Sequence, residues 1–386
     1  MKKNKNMLAK RLTNFPEYVF SQLNKKIVEI ETKTGKKVIN LGVGSPDFSP
    51  SVHYLNKLKE IISDSGIHLY PGYGATNELK IALKNWYKKR FHVDIDNLEI
   101  LPVSGAKDAI SHLPMALIDE EDEVLTPDPG YPAFSGPVSF FGGRPIFYQL
   151  TEENNFKINI EELQKLVSKK TRFIWVNFPA NPTGQTVTLD ELKNIVNFCL
   201  KHKIWLIYDN AYSEITFDGY KAPSIFQVDR AEKIAIEIGS FSKTFSFAGF
   251  RIGWIVGNKE IVSALGKVKS QMDSGLSLVW QKLAAYTLEN FDDNWYKKMI
   301  QSYLKRRNKI AIYLKKIGLT FDYPKGGLYL WAKIPKEYKN SQEFSFAILE
   351  KYQVFLTPGS AFGKNGERFV RASICSNIKD IDKYFN

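Results

Sequence analysis

The sequence predicts an α/β fold with a mostly parallel sheet flanked by helices, and three observations carry that expectation. Three short apolar, β-rich runs recur: Phe173-Ile174-Trp175-Val176, Ile204-Trp205-Leu206-Ile207-Tyr208 and Ile234-Ala235-Ile236-Glu237-Ile238. Between the first two, Leu189 to Lys201 sets Leu192, Ile195, Val196 and Cys199 at helical spacing, which predicts an amphipathic helix. Each run then gives way to a polar motif: Asn181-Pro182-Thr183-Gly184, Asp209-Asn210-Ala211-Tyr212, and Ser240-Phe241-Ser242-Lys243-Thr244 after Gly239. Strands alternating with helices imply a parallel sheet, whose ligands gather at the carboxyl ends of the strands. One site drawing on all three motifs is therefore expected at that edge.

Lys243 is the most telling residue of the three motifs. It sets a primary amine between the hydroxyls of Ser240 and Ser242 and the guanidinium of Arg251 in Gly249-Phe250-Arg251-Ile252-Gly253. An amine that condenses with an aldehyde, beside groups that grip a phosphate, suits pyridoxal 5'-phosphate (PLP). Taken singly, Lys243 also suits a solvated loop, Asp209 a helix cap and Asn-Pro-Thr-Gly a plain turn. Their convergence at one sheet edge favours a shared site.

The set resembles the fold-type I, class I and II, PLP-dependent aminotransferases, over nearly the whole chain. Several stretches are close to the LL-diaminopimelate aminotransferase branch. They include Phe15-Pro16-Glu17-Tyr18-Val19-Phe20, Gly42-Val43-Gly44-Ser45-Pro46-Asp47 and Tyr70-Pro71-Gly72-Tyr73. So are Ser104-Gly105-Ala106-Lys107-Asp108-Ala109-Ile110, Pro127-Asp128-Pro129-Gly130-Tyr131-Pro132 and Asp209-Asn210-Ala211-Tyr212-Ser213-Glu214-Ile215. The resemblance implies a large PLP-binding α/β domain over 50–290 and a smaller α+β domain from 1–49 with 291–386, the substrate lying between them.

Roles follow from the resemblance and from the chemistry of each group. Lys243 would hold PLP covalently, then shuttle the substrate's α-proton. Asp209 resembles the partner of the pyridine nitrogen, and a carboxylate there keeps that nitrogen protonated. Tyr212 and Asn181 resemble the donors to the ring oxygen, and Tyr131 the aromatic residue on the ring face. For the phosphate, Ser240, Ser242 and Arg251 supply two hydroxyls and a cation. The backbone amides of Ala106 and Lys107 would add donors where Gly105 opens a helix. Tyr70 resembles the tyrosine that reaches the phosphate from the neighbouring subunit, which implies a homodimer with shared sites. Arg371, in Arg368-Phe369-Val370-Arg371-Ala372-Ser373, resembles the clamp on the substrate α-carboxylate and is a better match than Arg368. Tyr18, Gly44 and Lys107 resemble substrate-lining positions, to which Tyr131 and Asn181 also contribute.

The implied activity is ping-pong transamination between an L-amino acid and a 2-oxo acid through pyridoxamine phosphate, with LL-diaminopimelate and 2-oxoglutarate as the favoured pair. Aspartate, alanine or aromatic amino acid transamination stays open, as does a C–S β-lyase acting on cystathionine-like substrates. One departure bears on this choice. In long-chain members of the branch an asparagine after the lysine motif touches substrate, whereas this chain reads Met272-Asp273-Ser274-Gly275-Leu276 there.

Composition sets the remaining bounds. With 386 residues the chain is long enough for two domains. No run of about 18 apolar residues suggests a membrane span, and no apolar core follows the basic N-terminus to make a signal peptide. Two cysteines, Cys199 and Cys375, offer neither a disulfide framework nor metal spacing, and five histidines add none. A reducing cytoplasm is the expected location and no metal is expected. The net charge of +13 is scattered along helices, as in Lys80, Lys84, Lys88, Lys89 and Arg90, so a lysine-rich solvated surface is favoured over nucleic-acid binding.

Overall fold

The computed structural model describes residues 19–376, together with positions 9 and 12. Helix α1 (Val19–Thr34) leads through a two-residue strand, β1 (Ile39–Asn40), to α2 (Val52–Ile62) and α3 (Asn77–Phe91). An alternating region follows: β2 (Glu99–Val103), α4 (Ala106–Leu117), β3 (Glu123–Asp128), α5 (Gly136–Phe140) and β4 (Arg144–Gln149). It continues as α6 (Ile160–Leu166), β5 (Thr171–Asn177), α7 (Leu189–His202), β6 (Trp205–Asp209) and β7 (Ala235–Ser240). A single helical turn, α8 (Phe241–Thr244), carries the lysine motif toward β8 (Gly253–Gly257), after which come α9 (Lys259–Lys269) and α10 (Leu278–Glu289). The remaining elements are the long α11 (Asp293–Lys316), β9 (Tyr329–Lys333), α12 (Ser341–Tyr352), β10 (Val354–Phe355), β11 (Thr357–Pro358) and β12 (Phe369–Ser373).

The central sheet has seven strands in the order β2-β8-β7-β6-β5-β3-β4. The three apolar runs singled out in the sequence are β5, β6 and β7, paired side by side and parallel. Their period-two alternation feeds both faces of the sheet. Trp175, Ile207 and Ile236 join Ile110, Leu113, Ile261 and Leu265 on one side. Ile174, Val176, Leu206 and Tyr208 meet Leu192, Ile195, Val196 and Cys199 on the other. Each fully buried side chain of this kind contributes about 1.5–3 kcal/mol relative to exposure, so both helical layers are firmly seated.

Helix α7 matches the amphipathic segment read from the sequence. A capping box of Thr188 and Glu191 starts it, and Lys203 in the left-handed conformation ends it. The sheet departs from parallel at one strand, since β8 runs antiparallel to both β2 and β7. The cause is the short link after β7, which holds one turn of helix and a 3-10 turn rather than a crossover helix, so the chain doubles back.

A second, three-stranded antiparallel sheet has the order β11-β12-β9, and β1 pairs with β10 in parallel. Leu23, Ile27 and Ile30 of α1 pack on Leu349 and Phe355. The N-terminal segment is thus joined to C-terminal elements by both strand pairing and apolar burial. It passes the carboxyl ends of the central strands on the way, and that position frames the site.

Candidate active site

A cavity of about 460 Å³ opens at the carboxyl ends of β5, β6 and β7, walled on its other side by the 42–44 segment, Tyr329 and Arg371. Strand β6 ends at Asp209 and α8 begins just after β7, so the sheet delivers both residues to the same edge. Asn181, Tyr212, Tyr131, Ala106, Lys107, Ser240, Ser242, Arg251 and Gly44 line this cavity with them. Tyr18 lies outside the described residues. Tyr70 does not line this cavity and is 86% exposed.

Lys243 projects from α8, whose flanking residues Phe241, Ser242 and Thr244 are buried and hold its backbone. Its Nζ donates to the Gly44 carbonyl at 2.9 Å and lies 5.6 Å from the centre of the Tyr212 ring. Asp209 is buried, and one of its oxygens accepts from the Ala211 amide at 3.1 Å. Burial raises its carboxyl to about 7, against the smaller opposing effects of that amide and of Lys243. Burial and then the neighbouring Tyr329 also hold the Tyr212 hydroxyl firmly protonated.

Arg371, 3% exposed, donates through Nη1 to Asn181 Oδ1 at 2.8 Å and through Nη2 to the Gly42 carbonyl at 2.7 Å. With Asn181 Oδ1 so engaged, its NH2 end is the one left to donate. Arg368 instead donates to backbone carbonyls of Pro335, Tyr338 and Lys339, a loop-bracing role away from the cavity.

The anion-binding end is built around the turn before α4. Gly105 takes φ +81°, and a Cβ on it would approach Arg251 Nη2 to 2.3 Å, so only glycine fits there. Arg251 donates to the carbonyls of Ala248 and Ser104, and Ser240 Oγ accepts from the Ser242 amide. Helix N-terminus, two serine hydroxyls and a guanidinium make a donor set suited to a phosphate dianion. A buried carboxyl lies in the same cavity, for a ring nitrogen, and a lysine amine for an aldehyde. These residues fit PLP.

Sequence reasoning missed three contributors. Asn177, the last residue of β5, accepts from the Asn181 amide at 2.9 Å and donates to the Asp209 carbonyl at 3.0 Å. A polar residue closing an otherwise apolar strand was its available signal. Asp108 accepts from the Ser104 amide, His112 and the buried Lys269, bracing the turn before α4 from behind. Burial alone would raise its carboxyl, but His112 and Lys269 outweigh it and hold it down to about 2. Lys269 also binds Asp273, in the stretch lacking the expected asparagine. The third is Tyr329, whose hydroxyl is 3.1 Å from that of Tyr212; its distance along the chain from the other motifs left no local signal.

A family model described as aminotransferase class I and II matches residues 36–384. An LL-diaminopimelate aminotransferase of Halothermothrix orenii is 36% identical, over 95% of this chain and 94% of that protein. Another, of Aquifex aeolicus, is 38% identical over 94% of each. The solved structure of substrate-bound BacF from Bacillus subtilis is similar at a TM-score of 0.91 and 30% identity, covering 99% of this chain and 96% of that one.

Proposed function

The chain belongs to the class I and II aminotransferases, and from that premise we propose LL-diaminopimelate and 2-oxoglutarate as its substrate pair. The protein is a PLP-dependent aminotransferase, acting on an amino acid and a 2-oxo acid. What supports the narrower substrate is identity of 36% and 38%, spread over nearly the full length, to enzymes named for LL-diaminopimelate. In the biosynthetic direction glutamate would be the donor and tetrahydrodipicolinate the acceptor.

When bound, the cofactor supplies an aldehyde that takes up the amino group and a ring that withdraws electrons from the reacting carbon. In this reading Lys243 Nζ would hold it covalently, and the same amine would move the proton at the substrate Cα. Asp209 would pair with the ring nitrogen, Tyr212 and Asn181 would donate to the ring oxygen, and Tyr131 would cover the ring. Ser240, Ser242, Arg251 and the amides of Ala106 and Lys107 would take the phosphate. Arg371 would grip the α-carboxylate with a planar fork and so orient the substrate's Cα. Gly44 and Lys107, which line the cavity, would border the side-chain end, and Tyr18 is assigned there by the resemblance alone.

We extend the reading to a homodimer in which Tyr70 of the partner subunit completes the phosphate site. Leu69, Tyr70, Tyr73 and Met272 form an exposed apolar set that a second copy would cover. Light scattering on the purified holoenzyme should give twice the 44.2 kDa chain mass, and a monomeric, fully active enzyme would refute it. The division into 50–290 and 1–49 with 291–386 is proposed on the same footing, the β1–β10 pairing supporting it. Among the described residues no helix is long and apolar enough to cross a membrane. A cytoplasmic location is the proposed one, and cell fractionation tests it.

The substrate is tested by a half-reaction screen. Single amino acids are added to the holoenzyme and the change in cofactor absorbance is timed. LL-diaminopimelate should react roughly 100-fold faster than aspartate, alanine or phenylalanine, as expected of a site that hydrogen-bonds a distal polar group. A faster reaction with one of those three would discard the substrate while leaving the site residues in their roles.

A further inference from the structure

We propose that Tyr329 is a positioning residue that fixes the donor state of Tyr212 and the orientation of Arg371 at once. The inference rests on the site being an aminotransferase site and not on which amino acid it takes. Antiparallel pairing sets Arg371 opposite Trp331 and Ser373 opposite Tyr329. Tyr329 is therefore the diagonal neighbour of Arg371 on the same face of the β9–β12 ribbon, within reach of a long side chain.

The two make a close stack. The guanidinium carbon of Arg371 lies 4.1 Å from the centre of the Tyr329 ring, and both residues are 3% exposed. A cation held over an aromatic face in a desolvated site loses much of its rotational freedom. With Nη1 and Nη2 already bonded to Asn181 and Gly42, the Tyr329 ring, together with Phe362 at 4.5 Å, limits the remaining degree of freedom, the tilt of the guanidinium plane.

The other end of the same ring reaches the chemistry. Its hydroxyl is 3.1 Å from the Tyr212 hydroxyl. It also packs directly over Gly44, where a Cβ would come within 1.9 Å of it, and the Gly44 carbonyl accepts from Lys243 Nζ. One phenol thus touches Arg371, Tyr212 and the Gly44 that accepts from the Lys243 amine.

Proton counting gives this contact a direction. Each phenol has one proton. Tyr212 can donate into the cavity only if its hydroxyl accepts, rather than donates, along the Tyr329 bond. Tyr329 must then donate to Tyr212. Its hydroxyl dedicates the Tyr212 proton to the ligand, and a donor polarised in this way gives a stronger hydrogen bond.

Two variants separate the two roles. Tyr329→Phe keeps the ring over Arg371 and removes the hydroxyl; Tyr329→Leu removes both. In Tyr329→Phe holoenzyme, the pH at which the cofactor's visible band titrates should move up. A weaker hydrogen bond to an anionic ring oxygen favours the protonated form. Turnover should fall roughly fivefold with KM nearly unchanged. In Tyr329→Leu the same shift should come with roughly tenfold weaker binding of a simple carboxylate such as succinate, measured by calorimetry.

An unshifted titration midpoint in Tyr329→Phe overturns the proposal. So does equal loss of carboxylate affinity in both variants, which would mean the ring face does nothing the hydroxyl does not. The titration needs no substrate, and a carboxylate is common to every candidate amino acid. A wrong substrate assignment would leave both readouts intact.

Discussion

Replacing Lys243 with alanine is expected to abolish the visible absorbance of the lysine-bound cofactor and to lower turnover at least about 10⁴-fold, with the fold intact. The loss is large because one amine performs two tasks in this reading. It would carry the cofactor between turnovers and move the Cα proton, and among the described residues Lys243 is the lysine bonded to the Gly44 carbonyl and set over the Tyr212 ring. Lys107 also lines the cavity, but it sits on the first turn of α4 and not on α8, where the Gly44 carbonyl holds the Lys243 amine.

The fold should survive because the α8 backbone is held by Phe241 and Thr244, which are buried whatever stands at position 243. Truncation removes one side-chain hydrogen bond to the Gly44 carbonyl, a net change of about 1 kcal/mol. Absorbance spectra, thermal melts and single-turnover rates on the purified variant decide the matter. Full activity in Lys243→Ala would remove the lysine from the mechanism altogether.

The parts of this site that were legible in the sequence are those encoded within one strand–loop–helix unit. Asp209 follows an apolar run that could be read as a strand, and Lys243 follows another, so their shared edge came from pattern alone. Helix α7 announced itself through Leu192, Ile195, Val196 and Cys199, and the sheet buries those four residues. What stayed hidden depends on contacts between distant segments. The Tyr329–Tyr212 hydroxyl pair and the bond from Arg371 to Asn181 join residues more than a hundred positions apart. Neither leaves a periodic trace, because a tyrosine that positions a catalytic neighbour and one that fills a core present the same local pattern.

The reversal of β8 was missed for a related reason. Gly253-Trp254-Ile255-Val256-Gly257 reads as a buried strand of either direction, and only the brevity of the link after β7 decides which. Asp108 and Lys269 show the limit for charges. Scattered lysines on helices read as a solvated surface, yet Lys269 is buried between two carboxylates and braces the turn before α4.

Asp209→Asn is expected to make the cofactor-free protein more stable while lowering turnover by at least about 10²-fold. Asparagine keeps the shape and can still accept from the Ala211 amide, so the exchange isolates the charge. Burial raises the Asp209 carboxyl from 3.8 to about 7 in the folded chain. Below about pH 4 the group is protonated in both folded and unfolded states and costs nothing. Between about pH 4 and 7 the unfolded chain releases the proton and the folded chain keeps it. Stability is lost there at about 1.4 kcal/mol per pH unit, on the order of 4 kcal/mol in all. Melting temperatures of the two cofactor-free proteins should therefore coincide near pH 4 and diverge toward pH 8, with the asparagine variant higher. A difference that stays constant across that range would show that Asp209 is not the group held protonated. In the proposed role for Asp209 the cofactor would reverse the sign, because a protonated ring nitrogen would supply the opposite charge that burial denies the carboxylate. The free energy recovered on ionising Asp209 then appears as cofactor affinity. The same substitution that stabilises the cofactor-free chain should therefore weaken PLP binding at neutral pH, and lose that effect as the pH falls toward 4.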